Sequence, residues 1–247
     1  EDINPHIIRA YLVYLQQERQ WKPSSVHGAA RAIRVFFAFC VRDEMITHSP
    51  MAKVKMPAMD QPRKPPFADD EIRRLLTAAD CQRDRALLLC LLDSGCRASE
   101  FVAWTVGDVN LATGAVHLRH TKNRKSRTVY LGNRARKELV KYFRELPSTD
   151  ADAPIWISGR TGDALLTNGL RQLLRRIGAR AKVKPVGPHR FRHTFAISYL
   201  RNGGDIFTLQ RLLGHSSLEM VKRYLALDVG DLEQAHKRFG VVDRLSR

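Results

Sequence analysis

The side chains that could carry out chemistry are concentrated in the last third of the chain. Residues 188–193 (PHRFRH) are followed by residues 213–215 (LGH) and then, nine positions after that histidine, by Tyr224. A phosphodiester is negatively charged and gains charge as an attacking oxygen adds to it. An enzyme that cleaves one without a metal ion therefore needs fixed cations, proton donors and a nucleophile around one phosphorus atom. This set of residues predicts the attack of a tyrosine on a DNA phosphate.

Two upstream segments supply the groups that the last third lacks. Residues 94–100 (SGCRASE) end an apolar helical run and contain Arg97 and Glu100. Residues 120–127 (HTKNRKSR) have the pattern of a basic β-hairpin and contain Lys122. The order of these motifs, together with the interval from LGH to the tyrosine, resembles that of the tyrosine recombinase family, which includes the phage integrases and the Xer-type recombinases.

This resemblance extends over roughly residues 67 to 240 and implies a role for each motif. Two arginines would hold the non-bridging phosphate oxygens, because a guanidinium is always charged and presents a planar fork of donors. His189 would transfer the proton of the tyrosine, and His215 would donate to a phosphate oxygen. The implied catalytic residues are Arg97, Lys122, His189, Arg192, His215 and the nucleophile Tyr224, with Glu100 and His193 in supporting positions.

The hairpin carries several cations that could contact phosphate, so its catalytic lysine is chosen by alignment. Residues 122–131 (KNRKSRTVYL) resemble the hairpin of the family, in which the first lysine protonates the 5′-oxygen leaving group, and this selects Lys122 over Lys125. A helix of the N-terminal region carries two arginines on its polar face. These arginines would either contact phosphate or simply form a solvent-exposed, charged face. The predicted DNA-binding residues are Arg31, Arg34, Arg119, Arg124, Lys125 and Arg127.

A zinc site is the rival interpretation of the histidines. His189 and His193 are four residues apart, which is a metal-binding spacing, and His215 could complete the set. Position 190 is an arginine and not the glutamate of a His-Glu-x-x-His motif, and further cations flank the histidines. We therefore predict no metal. The resemblance implies no cofactor either, because a phosphotyrosine conserves the energy of the phosphodiester bond.

The composition predicts a globular protein with a polyanionic partner. Lys and Arg outnumber Asp and Glu by 42 to 25, which gives a net charge of +17, and 44% of the residues are hydrophobic. No apolar run approaches the roughly 20 residues of a membrane span, and the first residues have no signal-peptide character, so we expect a soluble, cytoplasmic protein. The four cysteines form no Cys-x-x-Cys pair and are expected to be buried, reduced thiols.

Local patterns place helices and strands around these motifs. A first helix is predicted where Ile7, Ile8, Tyr11, Leu12 and Leu15 recur at helical spacing. A second helix starts near position 24, and further helical patterns dominate the chain after position 168. The predicted strands are residues 116–122, 127–131 and 154–158.

These patterns predict a mainly α fold with a small antiparallel β-sheet (α+β), divided into two parts. Five prolines among basic residues between positions 50 and 66 indicate an extended linker. The prediction is a partial helical core-binding domain over residues 1–56, a linker over 57–66, and a tyrosine recombinase catalytic domain with a C-terminal tail helix over 67–247. The core-binding domain of the family has more helices than the two patterns seen here, so we expect the chain to begin partway through it.

The resemblance implies a site-specific DNA recombinase or integrase that cleaves and rejoins double-stranded DNA through a 3′-phosphotyrosine. It also implies self-association as a tetramer on paired sites, with accessory DNA-bending proteins as a further class of partner. Two alternatives stay open. A type IB topoisomerase uses the same chemistry on one duplex, although its usual Ser-Lys-x-x-Tyr motif is replaced here by residues 220–224 (MVKRY). A non-catalytic DNA-binding accessory protein could keep the same fold.

Overall fold

The computed structural model describes residues 3–58, 65–119, 126–215 and 217–222. The chain divides into two compact units, Glu1–Lys64 and Pro65–Arg247, and the boundary falls within the predicted linker. Four of the predicted site residues, Lys122, Arg124, Lys125 and Tyr224, lie outside the described residues.

Helices account for most of the described residues. In chain order the elements are α1 (Pro5–Gln17), α2 (Pro23–Arg42), α3 (Asp69–Thr77), α4 (Gln82–Ser94), α5 (Ala98–Val102), β1 (Ala115–Leu118), β2 (Arg127–Tyr130), α6 (Asn133–Phe143), α7 (Thr167–Arg180), α8 (Pro188–Arg201), α9 (Ile206–Leu213) and α10 (Glu219–Lys222), with 3-10 turns at Pro50–Lys53 and Val106–Asp108. The predicted mainly α fold with a small antiparallel sheet is confirmed. No described helix is both long enough and apolar enough to span a membrane.

The first unit is a helical pair closed by the 3-10 turn. Helix α1 begins where the side chain of Asn4 accepts hydrogen bonds from the next backbone N–H groups, with Pro5 at the first helical position. It buries Ile8, Leu12 and Leu15 against α2 and the turn. The other part of its apolar stripe is not covered by the described residues.

Ile7 and Tyr11 lie in this uncovered part of the stripe. Ile7 is 42% exposed and Tyr11 is 45% exposed. Helix α1 contacts its neighbours along one side only, and the stripe of apolar residues is wider than that contact. Helical periodicity identifies an apolar face, but the partner decides how much of the face is buried.

The second unit is built around α4, whose middle turns are buried on every side. Leu87, Leu88 and Leu91 are each at most 1% exposed, because α4 lies between α6 and α8. An aromatic group extends this core: the rings of Phe101 and Trp156 stack at 4.7 Å between centroids. This core provides the rigid support for the end of α4, where residues 94–100 begin.

The sheet of the second unit is a two-stranded antiparallel ribbon. Strands β1 and β2 pair in a register that sets Ala115 opposite Tyr130 and Leu118 opposite Arg127. Strand β2 ends one residue earlier than predicted, at Tyr130. Strand β1 begins one residue earlier than predicted, and residues 120–122 of the predicted strand lie outside the described residues. The strand predicted at residues 154–158 was wrong, because this segment forms only isolated bridges, from Pro154 to Thr105 and from Ile157 to Ala164.

A small second hydrophobic cluster joins α8, α9 and α10. Its buried members are Ala196, Leu209, Leu213 and Val221, and it is separate from the main core around α4. Helix α8 belongs to both, since Phe191 in its first half lies in the main core. The cluster fixes α10 through Val221, three residues before position 224.

All four cysteines are free thiols. Cys40, Cys90 and Cys96 are buried as predicted, but Cys81 is exposed at the start of α4, so the prediction for this residue was wrong. Burial raises the pKa of Cys96, the neighbour of Arg97, to about 12. That thiol is therefore protonated and unreactive at neutral pH.

Candidate active site

Arg97 is positioned by the sharp break between α4 and α5. Gly95 has a left-handed backbone (φ +58°), and a Cβ at this position would lie 2.3 Å from the ring of Phe195. Only glycine fits both the angle and the space. Helix α5 starts directly after Arg97, and Glu100 closes its first turn by accepting hydrogen bonds from the Arg97 backbone N–H (3.0 Å) and Nη1 (2.9 Å).

Arg192 ties three segments of the second unit together from α8. Its side chain is buried, with Nη1 donating to the carbonyl oxygen of Gly95 and Nη2 to that of Leu213, both at 2.8 Å. Nη2 also lies 2.7 Å from Nε2 of His215. Because the guanidinium can only donate, Nε2 is the acceptor in this contact, which places the proton of a neutral His215 on Nδ1.

The C-terminal end of α9 is the point where three arginines meet. The carbonyl oxygens of three consecutive residues, 212, 213 and 214, each accept a hydrogen bond from a different arginine: Arg127, Arg192 and Arg97. The last carbonyls of a helix have no partner within the helix and carry its negative dipole end, so cations stabilise them. His215 follows immediately. The helix end thus collects positive charge beside a histidine, which is what a phosphate site requires.

Glu100 is the buried carboxylate of this cluster. Its side chain is 1% exposed, and it accepts from Nη1 and Nη2 of Arg127 (3.0 and 2.7 Å) as well as from Arg97. Burial acts to raise the pKa of Glu100, but the hydrogen bonds and charges of Arg127 and Arg97 outweigh it and hold the pKa at about 2. Glu100 is therefore ionised at neutral pH and orients Arg97.

His189 lies at the second position of α8, close to two arginines. Although the residue is exposed, the burial of part of its ring lowers its pKa, and the positive charges of Arg192 and Arg171 lower it further. A neutral imidazole at neutral pH can accept a proton. His193, one position after Arg192, is half-buried.

The zinc alternative is not supported by the arrangement of the histidines. Within residues 3–58, 65–119, 126–215 and 217–222, no group of three or more His, Cys, Asp or Glu side chains is placed to hold a metal ion. In addition, Nε2 of His215 faces a donor group of Arg192, which a metal ligand cannot do.

Comparison with known proteins identifies the family. The model of the phage integrase family matches residues 67–230. The tyrosine recombinase XerD of Pseudomonas putida is 32% identical over 234 residues, which cover 89% of this chain and 76% of that protein. This chain belongs to the phage integrase family. The predicted family is confirmed, and with it the predicted enzyme class, in which DNA is cleaved and rejoined.

Solved structures agree with this membership of the phage integrase family. The crystal structure of XerA recombinase matches with a TM-score of 0.62 and 28% identity, over 96% of this chain and 83% of that one. A lambda integrase dimer bound to a core site matches with a TM-score of 0.71 and 21% identity, over 89% of this chain and 81% of that one, and shows the shared fold. The comparisons do not favour the topoisomerase or the non-catalytic alternative.

The described DNA-contact candidates differ in how far their side chains are free to meet DNA. Arg31 is exposed on α2. Arg34 donates to the carbonyl oxygen of Val54 at 3.3 Å. Arg119 is 45% exposed and forms an ion pair of 2.5 Å with Asp108. Arg127 is only 11% exposed, and its described contacts are all to protein acceptors, which no sequence motif indicated.

A further arginine of the histidine motif has a purely structural environment. Arg190 is buried, donates to Glu71 at 2.6 Å and to the carbonyl oxygen of Pro65 at 3.0 Å, and lies 4.0 Å over the ring of Phe67. One turn later Thr194 accepts from the backbone N–H of Phe67 at 2.8 Å. These contacts fix the start of the second unit directly on the helix that carries Arg192. Position alone did not reveal this function of Arg190.

Proposed function

We propose that this chain cleaves and rejoins DNA at specific sites with Tyr224 as nucleophile. The other catalytic groups in this proposal are Arg97, Lys122, His189, Arg192 and His215. The observation that supports it most is the meeting of Arg97 and Arg192 at the end of α9, next to His215, which is nine residues before Tyr224. Two guanidinium groups and a histidine at one point can bind a phosphate and stabilise the charge that builds during attack.

The reaction is an exchange of one phosphate ester for another. The Tyr224 oxygen attacks the scissile phosphorus, its proton passes to His189, and a 3′-phosphotyrosine forms. The bond from phosphorus to the 5′-oxygen breaks as Lys122 protonates that oxygen. A free tyrosine has a pKa near 10, so the surrounding cations and the neutral His189 are needed to activate it. Attack by a 5′-hydroxyl from another duplex reverses each step and joins the new strand.

DNA and further copies of the chain are the partners in this proposal. The net charge of +17 supports a DNA partner, and lambda integrase, which shares the fold, was solved as a dimer on its core site. We place the action of the enzyme in the cytoplasm, on paired sites bound by a tetramer, with accessory DNA-bending proteins as an additional class of partner. The helical unit of residues 1–56 would act as the core-binding part, with Arg31 directed to phosphate.

The reaction class can be tested by trapping the covalent intermediate. The protein would be incubated with duplexes that carry a nick near a randomised core. Cleavage beside the nick releases a short strand that bears the 5′-hydroxyl, and the loss of this strand prevents religation. Adducts that survive denaturation would be sequenced, and the attached peptide mapped by mass spectrometry. We expect attachment to the peptide that contains Tyr224, and an unchanged yield for Tyr199→Phe as a matched control. Attachment at another residue, or no adduct from any duplex, would contradict the proposal.

The lowered pKa of His189 predicts the acidic limb of the pH dependence. The neutral imidazole is the form that accepts the tyrosine proton. Because the pKa of His189 is lowered, this form is still present at pH values below the ordinary histidine pKa of about 6.5. Cleavage should therefore be retained at pH 6.5 and fall only as the pH drops through the lowered pKa. The pH dependence of kcat/KM reports the pKa of His189 in the free enzyme. In Arg171→Ala, the acidic fall of kcat/KM should move to higher pH, because one of the positive charges that lower the pKa of His189 is removed. A limb at or above 6.5 in the unchanged protein would argue against His189 as the base.

The role of Lys122 predicts rescue by a better leaving group. Lys122→Ala should cleave an ordinary substrate slowly, because the 5′-alkoxide leaves unprotonated. A substrate with sulfur at the 5′-bridging position should restore the rate, since a thiolate leaves without a proton. Lys125→Ala, the matched variant in the same hairpin, should show no such selective rescue. Rescue of Lys125→Ala and not of Lys122→Ala would move the assignment to Lys125.

A further inference from the structure

Arg127, at the start of β2, contacts two other segments of the candidate site, and no sequence motif indicated these contacts. Both terminal nitrogens of its guanidinium donate to Glu100, at 3.0 and 2.7 Å, and its Nε donates to the carbonyl oxygen of Leu212 at 2.8 Å. A single rigid, planar group thus connects β2, the first turn of α5 and the C-terminal end of α9.

The charge balance around Glu100 depends on Arg127. Glu100 is buried and lies 2.9 Å from Arg97, so the two groups alone would form a neutral pair. A buried charge is costly unless it is paired. Arg127 supplies a second cation to the same carboxylate, and the cluster of the three groups has a net charge of +1. One positive charge in the cluster is therefore not balanced by Glu100, and Arg97 can use it to bind an anion outside the cluster.

Gly214 shows how closely Arg127 packs beneath the histidine. Gly214 has a left-handed backbone (φ +64°), and a Cβ at this position would lie 2.8 Å from Nη1 and 3.0 Å from Cζ of Arg127. The guanidinium therefore occupies the space that any other side chain at position 214 would need. The backbone that carries His215 rests directly on Arg127.

We propose that Arg127 is a positioning residue of the cleavage reaction: it holds Glu100, and through it Arg97, in register with the end of α9, from which His215 extends. This replaces the sequence-based prediction that Arg127 binds DNA, because its donors face Glu100 and Leu212. The inference rests on the proposed function, since it assigns Arg127 to the site that would bind the scissile phosphate.

Arg127→Ala and Arg127→Lys test this role. Lysine keeps the charge but cannot span both carboxylate oxygens and a carbonyl at once, so both variants should slow single-turnover cleavage of bound DNA. The loss of a group that orients a metal ligand typically costs about 10- to 100-fold in activity, and we expect a loss of that order here. The Kd for DNA and its dependence on salt should stay unchanged. A phosphate contact would instead lower the salt slope by about one unit.

Arg136→Ala is the matched control for a merely structural effect. Arg136 lies in the same unit and donates to the carbonyl oxygens of Leu111 (3.1 Å) and Ala112 (2.6 Å), with no described contact to Glu100 or α9. Rates are compared at temperatures where each variant is fully folded, as judged by its thermal melting curve. We expect the control to cleave at the rate of the unchanged protein while both Arg127 variants stay slow.

Three results would overturn the inference. The first is a reduced salt slope with normal cleavage of the bound fraction, which would make Arg127 a DNA contact. The second is a normal rate for Arg127→Lys, which would make charge alone sufficient. The third is an equal loss of rate in Arg136→Ala, which would make the effect a general one. If the unchanged protein forms no adduct with any duplex, the proposed function fails first; if it forms one and Arg127→Ala cleaves at the same rate, only this inference fails.

Discussion

Tyr224→Phe is expected to form no covalent DNA adduct while it binds DNA with nearly unchanged affinity. The substitution removes one hydroxyl group, which is the proposed nucleophile, and leaves the size and shape of the ring. Because binding depends mainly on cations that contact phosphates, losing a neutral hydroxyl has little effect on it. Denaturing gels with the nicked substrates measure adduct formation, and a mobility-shift titration measures affinity.

A matched substitution separates a chemical effect from a general one in this experiment. Tyr199→Phe removes a hydroxyl from α8 and should leave the adduct yield unchanged. A normal yield from Tyr224→Phe would end the proposed mechanism. A large loss of affinity would show instead that Tyr224 contributes to binding, and the chemical step would then have to be compared on the bound fraction alone.

Arg192→Ala is expected to slow cleavage of bound DNA by at least ~10²-fold, the usual effect of losing one preorganised donor to a developing oxyanion. The rate should fall further in Arg192→Ala than in Arg97→Ala, because the two side chains have different environments. Arg192 is buried and holds Gly95, Leu213 and His215 together. Removing it takes away a phosphate ligand and also leaves two buried carbonyl groups without this donor.

Single-turnover kinetics and thermal melting together check this expectation. Arg192→Ala should lower the melting temperature as well as the rate. Arg97→Ala, whose side chain is 24% exposed, should lower mainly the rate. Weaker DNA binding, with an unchanged rate for the bound fraction, would make both arginines affinity residues and not catalytic ones.

Local sequence patterns predicted the parts of the site whose partners are close in the chain. The pairing of Arg97 with Glu100 could be predicted because residues three apart in the first turn of a helix are neighbours. The end of the apolar helix just before Arg97 was predicted in the same way. The same holds for the helical character of most segments, since periodicity is a local property.

Contacts between distant segments could not be predicted in this way. Arg127 was assigned to DNA because it belongs to a basic hairpin, but its partners are Glu100, 27 residues earlier, and Leu212, 85 residues later. The three consecutive carbonyls at the C-terminal end of α9 give no sequence signal, because every residue has a carbonyl group. The strand predicted at residues 154–158 failed for a related reason: β-propensity does not supply a neighbouring strand to pair with.

The small cluster of Ala196, Leu209, Leu213 and Val221 has a consequence for local stability. A part of a protein that shares few apolar contacts with the main core opens at a lower free energy than global unfolding requires. Helices α9 and α10 are attached mainly through this cluster and the three arginines, so they form such a part. The free energy of opening α9 and α10 is therefore expected to lie below that of unfolding the core around α4, and it is set by few residues.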